Sequence, residues 1–218
     1  KWKFKTDDWF DGITPAVSDG VVYFGSNDNH LYAIDIKTGE EKWKFETGDW
    51  VSSSPAVSDG VVYFGSADKH LYAVDAKTGE EKWKFQAGDN VYSPAVSGGV
   101  VYCGSDDSHL YALDIKTGEE KWKFETGGMV NSSPTVLAGV VYFGSGNWGI
   151  NHLYALDTKT GEEKWKFETG GDVYSSPAVL EGVVYFGSYD EVYSIVDSDW
   201  LLVYDNHLYA LDSKTGKE

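Results

Sequence analysis

Apolar positions along the chain fall in runs of three or four residues separated by turn residues, and the same series recurs with a period of about 40 residues. One copy contains Ser54-Pro55-Ala56-Val57, Val61-Val62-Tyr63-Phe64, Leu71-Tyr72-Ala73-Val74 and Trp83-Lys84-Phe85. Each run is too short for a helix, so the four are predicted to be strands, here termed a, b, c and d. Strand b is apolar on both alternating faces, with Val61 and Tyr63 on one side and Val62 and Phe64 on the other, which suits a strand covered above and below. Ser58-Asp59-Gly60 between a and b, and Lys77-Thr78-Gly79-Glu80-Glu81-Lys82 between c and d, carry strong turn chemistry. No apolar period of 3.6 residues is sustained long enough for a helix. The pattern predicts an all-β chain of four-stranded antiparallel blades stacked around an axis.

The segment Gly39-Glu40-Glu41-Lys42-Trp43 recurs at Gly79 to Trp83, Gly118 to Trp122 and Gly161 to Trp165. A fifth copy is divided between Gly216-Lys217-Glu218 and Lys1-Trp2 with no residue missing or spare. This register predicts a five-bladed β-propeller formed by residues 1–218 as one domain. Its ring is expected to close by pairing of Trp2-Lys3-Phe4, as an outer strand, with Leu208-Tyr209-Ala210-Leu211.

The run Ala33-Ile34-Asp35-Ile36-Lys37-Thr38-Gly39-Glu40-Glu41-Lys42-Trp43 resembles the tryptophan-docking motif of PQQ-like (pyrroloquinoline-quinone-type) repeat propellers. Ala73 to Trp83, Ala112 to Trp122, Ala155 to Trp165, and Ala210 through Gly216 to Trp2 match the same pattern. The resemblance implies that Trp2, Trp43, Trp83, Trp122 and Trp165 are structural and tie adjacent blades together. It also implies an extracytoplasmic setting. The family's quinone dehydrogenases and its outer-membrane assembly lipoprotein have eight blades, against the five expected here. The adjacent cysteines and the asymmetric calcium ligands of the dehydrogenases are missing, so no quinone site, metal or other cofactor is expected. The lone Cys103 stands where other copies have Phe24, Phe64, Phe143 and Phe186, as a buried thiol would.

The net charge of −17, from 18 basic and 35 acidic residues, argues against nucleic acid or an anionic membrane as partner. All the basic residues are lysines, which removes the planar fork best suited to phosphate or carboxylate. No apolar run approaches the roughly 18 residues of a membrane-spanning helix. A monomer is expected.

Antiparallel blades place the d–a and b–c loops on one face and the a–b and c–d loops on the other. The second face is nearly uniform among copies. Divergence concentrates on the first, where loops on a rigid frame commonly bind. Trp9, Phe10, Trp50, Tyr92, Met129 and Tyr174 lie there, and the fourth copy adds Trp148 in a longer b–c loop. In the fifth copy the insertion at residues 189–206 reads as a projecting hairpin that either covers the mouth of the ring or presents Trp200, Leu202 and Tyr204 to another molecule. Aromatics beside Asp and Asn suit sugar rings or extended peptides.

Chemistry is harder to place. The near-equivalent aspartates Asp7, Asp8, Asp11, Asp49, Asp89 and Asp172 give no reason for their pKa values to separate, as acid and base roles require. His30, His70, His109, His152 and His207 each begin a strand c, on a circle too wide for one metal. No nucleophilic triad is evident. The sequence therefore predicts a non-catalytic scaffold that binds a protein, peptide or glycan through the variable face. A glycoside hydrolase, or a consensus-like or engineered propeller without an evolved ligand, are the alternatives.

Overall fold

Every strand expected from the repeat forms, apart from the one that would close the ring. The computed structural model describes residues 1–9, 13–147, 151–189, 191–196, 199–204 and 207–218, the two stretches within 191–204 as backbone. Blade 1 comprises β1 (Ala16–Ser18), β2 (Val21–Gly25), β3 (His30–Asp35) and β4 (Glu41–Glu46). Blade 2 comprises β5 (Ala56–Ser58), β6 (Val61–Gly65), β7 (His70–Asp75) and β8 (Glu81–Gln86). Blade 3 comprises β9 (Ala95–Ser97), β10 (Val100–Gly104), β11 (His109–Asp114) and β12 (Glu120–Glu125). Blade 4 comprises β13 (Thr135–Leu137), β14 (Val140–Ser145), β15 (His152–Asp157) and β16 (Glu163–Glu168). Blade 5 opens with β17 (Ala178–Leu180) and β18 (Val183–Ser188). Among the described residues, the inserted β19 (Glu191–Val196) and β20 (Asp199–Tyr204) pair only with each other, and β21 (His207–Asp212) returns to β18.

Each of the first four blades is an antiparallel meander in chain order. The three-residue a strands approach one another in succession, which puts them nearest the axis. Strand b contributes the fully covered rings, among them Tyr63, Phe64, Tyr102 and Phe143. Cys103 occupies the corresponding place in blade 3 with no exposure, and burial pushes its thiol pKa up.

The c–d turn and the docking tryptophan form one device. In blade 2, Asp75 Oδ1 accepts the backbone N–H of Lys77 and Thr78 at 3.0 and 3.1 Å, and Gly79 turns the chain at φ +75°. The Lys82 ammonium, followed by those backbone donors, lowers the Asp75 pKa to about 2. Between β7 and β8 the register shifts, from Ala73 opposite Trp83 to Val74 opposite Glu81, a bulge that reorients the outer strand. Trp83 lies over Gly118 of the next blade and donates Nε1–H to Ile115 O at 3.1 Å. The Tyr63 hydroxyl donates to the same carbonyl at 3.3 Å. Trp43 with Tyr23, Trp122 with Tyr102 and Trp165 with Tyr142 repeat this shared bond on Ala76 O, Thr158 O and Ser213 O.

A second contact is tighter still. Val91 of the d–a loop lies against Gly65 of the preceding blade so closely that a Cβ at Gly65 would overlap Val91 O. Val51 on Gly25, Val130 on Gly104 and Val173 on Gly144 make the same clamp. These repeated contacts set the step from blade to blade.

The expected closing pair is not formed. Residues 1–6 belong to no ladder, and β21 pairs with β18 alone among the described residues. Leu208 is 82% exposed and Tyr185 is 40% exposed. The amino-terminal segment nevertheless docks as its sequence implies: Trp2 covers Gly39 and donates to Ile36 O at 2.9 Å, and Phe4 packs edge-on against Phe24 and Tyr32. The physical reason is curvature. Four copies of the same clamped step lead from blade 1 to blade 5, and among the described residues β17 and β1 lack the approach that successive inner strands make. The five blades form an open arc.

Candidate ligand-binding face

On the variable face, the b–c loops of blades 1 to 3 are each organised around one aspartate. Asp68 Oδ2 accepts the Tyr72 hydroxyl at 2.6 Å and Gly48 N–H at 2.8 Å, while Oδ1 accepts His70 N–H at 3.1 Å. Burial pushes its carboxyl pKa up, but the hydrogen bonds from Tyr72 and Gly48 outweigh it and hold the pKa below the usual range. Asp28 and Asp107 repeat the arrangement with Tyr32 and Tyr111. The histidines brace these loops: His30, His70 and His109 hold the preceding aspartate's carbonyl through Nδ1. Among the described residues no group of three or more His, Cys, Asp or Glu side chains is placed to hold a metal.

The d–a loops are pinned as firmly. Thr47 Oγ1 donates within reach of Asn29 O and Asp49 O, and Asp49 Oδ1 caps Trp50 N–H at 2.8 Å. The carbonyl at the same position of all five loops accepts a backbone N–H from its b–c loop: Trp9 from Asn27, Trp50 from Ala67, Asn90 from Asp106, Met129 from Gly146 and Asp172 from Tyr189. One residue further on stands the clamping valine of blades 2 to 5, buried to within 2% of full cover. The residue after that valine varies again, as Ser52, Tyr92, Asn131 and Tyr174. Two variable side chains thus flank one invariant buried anchor in each of those blades.

The structure separates the residues that sequence grouped together. Trp9, Trp50 and Tyr174 are 68%, 53% and 45% exposed. Tyr92 is half-buried and donates its hydroxyl to Asp106 Oδ2 at 2.9 Å, and Met129 is half-buried beside its bridge to Gly146. Phe10, Asp11 and Trp148 lie outside the described residues, as do the side chains of Trp200, Leu202 and Tyr204, whose backbone belongs to β20.

Asp106 is the functional candidate that sequence reasoning missed. It stands where the first two copies have Asn27 and Ala67, so its only signal was one additional carboxylate in an acidic loop. Burial, with the negative charges of Asp89 and Asp107, raises its pKa against the hydrogen bonds from Tyr92 and Asn90. Its Oδ1 is buried without a hydrogen-bond partner among the described residues. Tyr174, two positions along the arc, is close enough for Asp106 to contribute to raising its pKa, after burial and its own bond to Asp172.

The opposite face carries shallow grooves between successive blades. One of about 460 Å³ is lined by Tyr23, Lys42, Asp75 and Lys82, and one of about 440 Å³ by Tyr102, Lys121, Val136 and Lys159. Their walls are the repeated turns, so they offer the same chemistry at each step.

The family model for outer membrane protein assembly factor BamB, a PQQ-like repeat, matches residues 1–93, 89–150 and 148–218. The chain belongs to this repeat family. No curated protein sequence matches it. Among solved structures, it is similar to BamB from Moraxella catarrhalis, with a TM-score of 0.77 and 23% identity over 98% of this chain and 61% of that one. A quinohemoprotein alcohol dehydrogenase from Pseudomonas putida gives 0.74 and 23% over 99% of this chain and 42% of that one. The computationally designed Ika8 protein gives 0.71 and 20% over 93% and 62%. At these identities the likeness shows the β-propeller fold alone. The chain spans less than two thirds of the length of each of these propellers.

Proposed function

We propose that the chain is a non-catalytic protein-interaction scaffold working through the d–a/b–c loop face. The observation that carries this reading is the alternation of fixed and variable positions there. Val51, Val91, Val130 and Val173 repeat and are buried, while their neighbours run through Trp50 and Ser52, Asn90 and Tyr92, Met129 and Asn131, and Asp172 and Tyr174. A backbone anchored alike in blades 2 to 5 presents different side chains, as a recognition surface requires. The opposite face repeats one chemistry instead. The PQQ-like family includes a model named for an assembly factor, which supports protein partners and an extracytoplasmic setting.

A peptide and glycan array tests the reading. The double variant Trp9→Ala, Trp50→Ala should fold normally, because both rings are mostly in solvent, and should lose the ligands that the parent chain retains. An array pattern unchanged by the double variant would refute it.

One observation favours a second, enzymatic reading: the raised carboxyl of Asp106 beside the lowered one of Asp107 is the kind of separation that acid–base chemistry uses. Asp107 is, however, consumed by Tyr111, Gly88 and His109. Hydrolysis of aryl glycosides abolished by Asp106→Asn would establish that reading in place of the first.

A further inference from the structure

We infer that the partner of the variable face is a basic polypeptide segment, whose Lys or Arg side chains sit among the exposed rings and unneutralised carboxylates of the rim. The inference deepens the scaffold reading and rests on it. Three features carry it together.

Charge is segregated between the two faces. The loops of the variable face contain Asp8, Asp49, Asp89, Asp106 and Asp172, and Lys69 is their sole lysine. The other lysines lie in the c–d turns, the outer strands and the amino-terminal segment. Lys69 is already engaged, its Nζ lying 3.4 Å from Asp89 Oδ1 and 3.2 Å from Gly88 O. A net charge of −17 is thus most concentrated, and least compensated, on the face that varies.

Aromatic rings accompany the carboxylates. Trp9 and Trp50 occupy the same position of adjacent blades, each directly after an aspartate that caps its backbone N–H at 2.8 Å. Ring faces attract ammonium and guanidinium groups, and both indoles stand well into solvent on anchored backbone. The third feature is an acceptor without a donor. Among the described residues Asp106 Oδ1 is buried and unpaired, in a corner where Asn90 and Tyr92 serve only its other oxygen. Hydrogen-bond donors carrying positive charge complement all three features. An acidic or purely apolar segment complements none of the carboxylates.

The test is fluorescence anisotropy on the full chain, with a short labelled peptide of alternating Lys and Ser and its counterparts bearing Gln or Glu in place of Lys. The lysine peptide should bind with an affinity that falls steeply with salt, and the Gln and Glu peptides should not bind. Asp49→Asn with Asp89→Asn keeps the oxygens that cap Trp50 and Asn90, and should weaken binding by about tenfold. Glu40→Gln with Glu80→Gln removes the same charge from the opposite face and should change it by less than about twofold. Equal losses in the two double variants would reduce the effect to net charge and overturn the inference, as would no binding of the lysine peptide. Binding of the Gln or Glu peptide with the same sensitivity to Trp9→Ala and Trp50→Ala would overturn the cationic partner while leaving the face as an interaction surface.

Discussion

Replacing Trp83 by alanine tests whether the docking tryptophans hold the arc together, and the same change at Trp2 supplies the control. Trp83 is half-buried, packs on the Tyr63 ring at 5.7 Å between centroids, lies over Gly118 and donates to Ile115 O. Deleting a large buried ring costs about 3–5 kcal/mol, and partial exposure places Trp83 at the low end, near 3 kcal/mol. About 1 kcal/mol of this belongs to the hydrogen bond. Another ~1 kcal/mol belongs to the aromatic pair. Trp83→Phe should therefore lose only about 1 kcal/mol. Trp2 is 38% exposed and keeps its bond to Ile36 O, but the tyrosine that would share that carbonyl, Tyr185, lies at the far end of the open arc. Trp2→Ala should cost only about 1–2 kcal/mol. Urea unfolding followed by circular dichroism measures all three, with melting temperatures lowered by about 2–4 °C per kcal/mol for a chain of this size. A Trp2→Ala loss equal to that of Trp83→Ala would refute the reasoning, because it would place Trp2 in a complete fifth interface.

Two further comparisons use the same assay. Gly65→Ala should be severely destabilising, by about 3 kcal/mol or more, because its Cβ meets the Val91 backbone, whereas Gly98→Ala has open space and only a φ of +58° to oppose it, and should cost about 1 kcal/mol. Melting temperatures read across pH should separate Asp68 from Asp106. The Asp68 carboxyl, held low, contributes stability above about pH 4 that is lost as pH falls through its folded value, so Asp68→Asn should destabilise at pH 7 and much less in acid. Asp106 is held high, so its favourable protonated form is present below about pH 4 and lost as pH rises through its folded value. Asp106→Asn should raise the melting temperature at pH 7 by about a degree or two, with the gain closing in acid. A gain that persists in acid would contradict the origin assigned to it.

The strands were legible because their determinants are local. Alternating apolar residues, Asp-Gly and Thr-Gly turns and a Trp at constant spacing act within one copy, and five copies repeat the message. The docking of Trp2 was legible for the same reason: Gly39 and Ile36 O form a receptor already seen at Gly79 and Ala76 O. The rim was legible as a region but not residue by residue. Tyr92 and Tyr174 follow the clamping valine alike, yet one is half-buried on Asp106 and the other projects into solvent on Asp172. That difference depends on the b–c loop each one meets.

Sequence by itself determined the repeat, the four-strand blade, the tryptophan latch and the division into a uniform and a variable face, all of which rest on contacts within a blade or between neighbours. Tertiary structure alone decided that the arc stays open, since closure depends on the sum of the four clamped steps and no single motif encodes that sum. It also decided that Asp106 is the exceptional carboxylate, because burial beside Asp89 and Asp107 comes from folding, and a residue's own identity does not reveal the charges placed around it.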